Sequence, residues 1–327
     1  MRICLVGHHV GQPDEAVRKI AHHLAHGLAK RHQVLPAEVG HPRCWRDIRR
    51  FQPRILHFVL SPTLQGLAWA KILSFAYRPA ATVVSAPHPH LGVQGRLASW
   101  FRPDMLLVQA EDSERLFRSL GYRTRFLPNG VDTQRFLPAD ATTKARLREK
   151  HGIDLDKFVV LHVGAVNRGR NLEGLSNLQG GDTQVLVVGR VSEQGSPRLA
   201  ARLREAGCLV LTEYLSRLEE LYALADCYLF PTRDRRYSVE MPLSVLEAMS
   251  CNLPVVTTRF GALPRVFQDG GGLVFVDQDE DFPHALNTAR GAAEVSTRDK
   301  VLRHDWASIV DELGEIYDSL LAERTAR

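Results

Sequence analysis

Four segments of this 327-residue chain place charged or reactive side chains directly after short β-like runs, where open parallel sheets bind their ligands. "VLHVGAVNRGRNLEGL" carries Arg168 and Arg170 between a strand and a helix. Two guanidinium groups beside a positively polarised helix end suit a diphosphate, although a solvated basic loop would show the same spacing. "TRDRRYSVEMPLSVLEAMSCNLPVVTT" sets Glu240 in the loop after a strand and Glu247 early on the next helix. A carboxylate accepts both hydroxyls of a ribose diol, and the neighbouring helix N-terminus seats a phosphate; capping or dipole complementation is the alternative for either glutamate. "SAPHPH" ends a strand on His88, a hydrogen-bond donor or proton-transfer group near neutral pH, with His90 as its competitor. "GHHVGQPDEAVRKIAHHLAHGL" holds Gly11 in a turn that leads into an amphipathic helix. Its backbone amides suit an anion there, and an ordinary loop glycine is the alternative.

Other chemistries lack support. There is no G-x-G-x-x-G and no P-loop, which argues against a dehydrogenase or an NTP-hydrolysing site. His22 and His26 share a helix face without a third ligand or an H-E-x-x-H glutamate, so no metal is expected. "DQDED" at 277–281 contains an acid-x-acid triplet able to hold a divalent ion, but its place between a strand and a helix favours capping. Cys4, Cys44, Cys208, Cys227 and Cys251 are odd in number, scattered and without a C-x-x-C pair, as expected of small buried hydrophobes in a reducing compartment.

The elements that must position these residues alternate. "RICLVG", "QVLPAEV", "ILHFVL", "TVVSAP", "MLLVQA" and "TRFLPN" are interleaved with helix-period segments in the first half. "FVVLHVG", "TQVLVVG", "CLVLTEY", "CYLFPT", "PVVTTR" and "LVFV" follow in the second. Nearly all-apolar strands are those covered by helices on both faces, so the fold class is α/β: two Rossmann-like parallel-sheet domains in tandem. The strand pattern restarts at Phe158 after the charged stretch "ATTKARLREKHGIDLDK". The expected division is therefore 1–153, 154–303 and a terminal helix over 304–327, whose apolar face is Trp306, Ile309, Val310, Leu313, Ile316, Tyr317 and Leu320.

Composition bounds the partners. With 44% hydrophobic residues and 42 Lys+Arg against 37 Asp+Glu, the chain is foldable and not disordered. Its longest apolar stretch, "LQGLAWAKILSFAY", is too short for a membrane span and contains Lys71. "MRICLVG" reads as a strand and not as an export signal, so the cytoplasm is the expected compartment. Residues 1–150 hold 23 Lys+Arg and 11 Asp+Glu, a net of +12, against −7 for the remainder. The first half therefore suits an acidic acceptor or a peripheral contact with the anionic inner membrane face. Dispersed charge without a recognition motif argues against nucleic acid.

Taken together, these segments resemble the retaining GT-B-fold glycosyltransferases of glycosyltransferase family 4, over essentially the whole chain. "LVQAEDSERLFRSLGYRTRFLPNGVDTQRFLP" is similar to the family's "i-P-N-G-V-D" stretch, and "LSRLEELYALADCYLFPT" with "LEAMSCNLPVVTTRFGALPRV" to its "E-A-M-a-x-G-x-P-V-V" region. The resemblance implies two domains facing a cleft, with the terminal helix crossing back to the first. It implies metal-independent transfer, without a cofactor, from a UDP-, GDP- or ADP-linked sugar to a glycan, lipid-linked or small-molecule acceptor.

It also implies roles for particular residues. Glu247 would hold the ribose, Arg168 and Arg170 the diphosphate, and Met241, Leu243 and Ser244 would lie on the loop facing the phosphates and sugar. Tyr214 and Leu215 would hold the base, while His88 and Glu240 would act at the transferred sugar. This sequence departs from the pattern in three places. Six residues instead of seven separate Glu240 from Glu247, Ala165 stands where an arginine is expected, and Asn252 replaces a glycine. A non-catalytic sugar-nucleotide-binding homologue would share these motifs. A nucleotide-sugar epimerase would share the two-domain architecture, but "LPNGVD" and "LEAM" argue against it.

Overall fold

The computed structural model describes residues 1–7, 16–38, 40–41, 43–89, 97–191, 196–213 and 215–326. Each of the twelve apolar runs forms a strand. In chain order the first set is β1 (Arg2–Gly7), α1 (Ala16–Ala29), β2 (Gln33–Glu38), α2 (Cys44–Phe51), β3 (Ile55–Val59), α3 (Leu64–Ser74), β4 (Ala81–Ala86), β5 (Met105–Val108), α4 (Glu111–Ser119) and β6 (Thr124–Phe126). The second is α5 (Ala141–Lys150), β7 (Phe158–Val163), β8 (Thr183–Val188), α6 (Ser196–Glu205), β9 (Leu209–Leu211), α7 (Glu219–Leu224), β10 (Cys227–Phe230), α8 (Leu243–Ser250), β11 (Val255–Thr258), α9 (Leu263–Val266), β12 (Leu273–Val276), α10 (Phe282–Arg290) and α11 (Thr297–Val301). The terminal helix is α12 (Trp306–Thr325).

Packing divides the chain into two units. The first comprises 1–130, 239–241 and 306–327, and the second 131–238 and 242–305. The chain leaves the first unit after Gly130, ahead of the boundary near 153 expected from the strand pattern. The reason is α5: its buried Arg148 bonds to the carbonyls of Leu224, Leu155 and Lys157 and pairs with Asp226, all within the second unit.

In the first unit six parallel strands run in the order β2-β1-β3-β4-β5-β6, and their buried side chains meet those of the flanking helices around Leu56, Phe58, Val84, Leu106 and Phe117. α12 packs on α1, and Gly27 permits the approach, since a Cβ there would stand 2.6 Å from Val310 Cγ2. The Tyr317 hydroxyl of α12 lies 2.5 Å from His57 Nδ1, and His57 Nε2 lies 2.8 Å from Ser85 Oγ, so one buried imidazole joins the helix to β3 and β4. In the second unit the order is β12-β11-β10-β7-β8-β9, over a core that includes Val160, Val185, Leu229 and Val256. The five cysteines are free and buried. No helix among the described residues is long and apolar enough to cross a membrane.

Candidate functional site

The strand order of the second unit reverses direction between β7 and β10. Ligands of such sheets bind at that switch, beyond the carboxyl ends of the two strands. The residues emerging there are the loop 164–170 after β7 and the loop running from Pro231 into α8 after β10.

Close backbone packing shapes the first loop. Gly164 N–H donates to Val188 O at 2.8 Å, and a Cβ on Gly189 would fall 1.8 Å from Gly164 O. A Cβ on Gly164 would stand 2.3 Å from Arg170 Nη1 and 3.3 Å from His162 Nε2, so the guanidinium lies in the space that only a glycine leaves open. Arg170 Nε is buried without a hydrogen-bond partner, and among the described residues no carboxylate pairs with this guanidinium. Burial depresses its pKa, and the neighbouring Tyr228 opposes that effect. A desolvated cation without a counter-ion is costly to a fold and is the feature of a site awaiting an anion. Arg168, two residues earlier, is exposed. Between them, Gly169 lies against the Tyr237 ring, so closely that a Cβ would meet it at 2.1 Å.

The second loop delivers α8. Its N-cap residue, Pro242, makes no side-chain cap, which leaves first-turn amides available to an anion. Ser244 and Glu247 lie three residues apart, hence on one face of the helix. Each is oriented by a buried tyrosine. The Tyr222 hydroxyl donates to Glu247 Oε2 at 2.7 Å, and the Tyr228 hydroxyl lies 2.7 Å from Ser244 Oγ and 3.3 Å from the Val163 carbonyl at the end of β7. Burial, with the Glu247 carboxylate second, raises the Tyr222 pKa well above its ordinary value, so it remains a donor. Tyr228 connects the end of β7, the first turn of α8 and the field of Arg170.

Sequence reasoning missed both tyrosines because they read as apolar core. Their placement on α7 and β10, one residue type in two neighbouring elements leading to the "LEAM" helix, is the signal that would have found them.

Asn252, in place of the family's glycine, is explained by the end of α8. It has φ 55°, the left-handed region, and its N–H donates to Met249 O while Leu253 N–H reaches Ala248 O. This is the pairing of a Schellman cap, which asparagine tolerates. Its side chain also bonds Val295 O and Arg298 N–H, a contact glycine lacks. Two of the acids at 277–281 are engaged elsewhere: Asp277 pairs with Arg259 and Asp279 with Arg233, and Asp279 also accepts from Asn171 Nδ2.

Not every expected site residue joins this group. Gly11, Tyr214 and His90 lie outside the described residues. Leu215 is half-buried, and Leu243 is buried at the start of α8. His88 follows β4 in the first unit and is half-buried. Glu240, expected at the transferred sugar, and Met241, expected on the phosphate-facing loop, pack within the first unit.

Glu240 is fully buried. Its carboxylate accepts from Ala110 N–H at 3.0 Å and Ser113 Oγ–H at 2.5 Å, capping α4, whose own N-cap position, Ala110, supplies no side-chain acceptor. Its N–H donates to Pro87 O, next to His88, at 2.7 Å. Met241 N–H donates to Gln109 Oε1, and its carbonyl accepts from Asn129 Nδ2. Removing these acceptors in Glu240→Ala leaves buried donors unmade and should destabilise the first unit by about 1–3 kcal/mol in urea unfolding. Glu240→Gln, which keeps one acceptor oxygen, should recover part of it. Full stability with lost transfer in Glu240→Gln would instead give the carboxylate a role at substrate.

This geometry combines a doubly wound sheet, a sequestered arginine at its switch point and a tyrosine-oriented glutamate on the adjoining helix. Comparison with known proteins agrees with it. Residues 158–289 match the family model described as "Glycosyl transferases group 1". The D-inositol 3-phosphate glycosyltransferase of Geodermatophilus obscurus is 28% identical over 322 residues, which cover 90% of this chain and 67% of that protein. The sulfoquinovosyl transferase SQD2 of Arabidopsis thaliana is 27% identical, covering 83% of this chain and 58% of its own length. Anabaena Alr3699/HepE, solved in complex with UDP-glucose, superposes with a TM-score of 0.76 over 98% of this chain and all of that one, at 15% identity. Fold and site therefore define a GT-B glycosyltransferase drawing on a nucleotide-sugar donor. Over residues 158–289 the chain is similar to the group 1 glycosyltransferases, and the solved structures share its GT-B fold.

Proposed function

We propose that the second unit binds a UDP-linked sugar with Arg170 and the first-turn amides of α8 at the diphosphate and with Glu247 on the ribose hydroxyls. The observation that carries this reading is half-buried Arg170, whose enclosed Nε has no hydrogen-bond partner and whose guanidinium lacks a carboxylate partner among the described residues. Departure of the diphosphate concentrates negative charge on its oxygens, and donors already fixed in a desolvated site stabilise that charge without reorganising. Arg168, exposed and two residues away, adds a second cation at the rim. Tyr222 holds Glu247 and Tyr228 holds Ser244, so the helix face is set before the donor arrives. Leu215 and Tyr214 would border the base, and His88 would donate to the transferred hexose. The HepE complexes with UDP and UDP-glucose support uridine as the nucleotide.

The acceptor half of the reading rests on charge. A net of +12 in residues 1–150 suits a glycan or lipid-linked acceptor bearing acidic groups, reached from the cytoplasmic face of the membrane. A thermal-shift panel of UDP-, GDP- and ADP-sugars tests the donor half, because a ligand that binds only the native state raises its melting temperature. UDP-glucose at roughly 100 times its dissociation constant should add about 2.7 kcal/mol, a rise of several degrees. Glu247→Ala should remove that rise. A panel without any shift, or an undiminished shift in Glu247→Ala, would discard the assignment.

A further inference from the structure

α3 is apolar on both faces. Leu67, Ala70 and Leu73 point into the first unit's core, while Trp69, Ile72 and Phe75 are 46%, 47% and 51% exposed. A helix hydrophobic all round is ordinarily covered all round. Beside it packs a single helical turn, Ala98–Phe101, whose Ala98 is buried and accepts from the Tyr122 hydroxyl at 2.6 Å. That contact fixes the turn with Trp100 76% and Leu97 65% exposed. Five large apolar side chains thus face outward on two adjacent elements of one unit, far more than the scattered singles that surfaces normally carry.

The charge along this stretch of sequence has one sign. From residue 48 to residue 103 the sequence contains seven Lys and Arg and no Asp or Glu. Arg78 lies over the Phe75 ring with its guanidinium carbon 5.1 Å from the centroid, and Lys71 is on α3 itself. The first acid reached, Asp104, is already bonded to Arg324 and to Thr82 N–H. Exposed tryptophans and aliphatics beside Arg78 and Lys71 are the composition of an interfacial membrane surface, with apolar groups entering the headgroup boundary and cations meeting anionic lipid. Pairing this face with a second copy of itself would set like charges together.

We infer that Trp69, Ile72, Phe75, Leu97 and Trp100 form a docking surface for an anionic lipid bilayer. This gives the peripheral contact of the proposed function a place on the molecule, and it is tested without reference to transfer. The 327-residue chain is sedimented with vesicles of phosphatidylcholine alone and of phosphatidylcholine with about 30% phosphatidylglycerol at low salt, the anionic vesicles being expected to capture about tenfold more protein. The triple variant Trp69→Ser/Ile72→Ser/Trp100→Ser should lose about tenfold of that capture or more, since apolar insertion and charge act together. Its UDP-glucose thermal shift should be unchanged, which separates failure of this inference from failure of the donor assignment. Equal capture of the variant, capture by neither vesicle, or a solution dimer that the variant converts to monomer would each overturn it.

Discussion

Arg170→Ala should reduce the turnover of sugar transfer by about 10²–10³-fold, the loss typical when one preorganised donor to a developing anion is removed. The same substitution should leave the melting temperature of the donor-free protein unchanged or raise it. Arg170 is a desolvated cation with no carboxylate partner among the described residues, so its removal relieves a cost in the unliganded fold. A structural arginine would behave in the opposite way, with stability lost and turnover falling only in proportion. Steady-state kinetics alongside calorimetry therefore separates the two roles. Near-normal turnover would remove Arg170 from the diphosphate site, and a melting temperature lowered by many degrees would make it part of the core.

Acid should unfold this protein well before its carboxylates are fully protonated. Burial pushes the His57 and His162 pKa values down to about 3, with Arg170 adding to the effect at His162. Burial and then Arg303 push His304 down to about 4. In the unfolded chain all three return to about 6.5. Between those values the unfolded state carries the proton and the folded state does not, so stability rises with pH through this window and falls as pH drops below 6.5. Each histidine costs about 1.4 kcal/mol per pH unit. By pH 5 that is roughly 2 kcal/mol for the first unit, through His57, and roughly 4 kcal/mol for the second, through His162 and His304. Losses of this size are large against a typical total of about 5–15 kcal/mol, so the second unit should be the first to melt. Urea titrations at pH 7.5, 6.5 and 5 measure the slope, and midpoints that do not move would refute it.

The strands were legible because a parallel sheet buried on both faces leaves unbroken apolar runs such as "FVVLHVG" and "TQVLVVG", which need no long-range information to recognise. Arg170 stands just beyond a strand that the pattern had already marked, and Glu247 on the helix after the next switch-point loop, so both could be named as candidates by type and position. The allegiance of Glu240 was not legible. With only six residues between it and Glu247, it reads as a neighbour in the same loop, yet its partners are Ala110 and Ser113, more than a hundred residues away in sequence. The passage out of the first unit at Gly130 was hidden for the same reason. α5 carries a low-contrast surface pattern, and only the burial of Arg148 against Leu224 and Asp226 reveals where it packs.

Because the first unit is assembled from three separate stretches of chain, no single cut in the gene yields both units intact. A fragment ending at Gly130 would lack the carboxylate that caps α4 and the helix that shields His57. A fragment beginning at Val131 would carry Glu240 and the apolar face of α12 with nothing of their own to cover them. Neither piece is a natural candidate for independent expression, and recombination of this chain with a relative would need junctions on both sides of residues 239–241 as well as before Trp306.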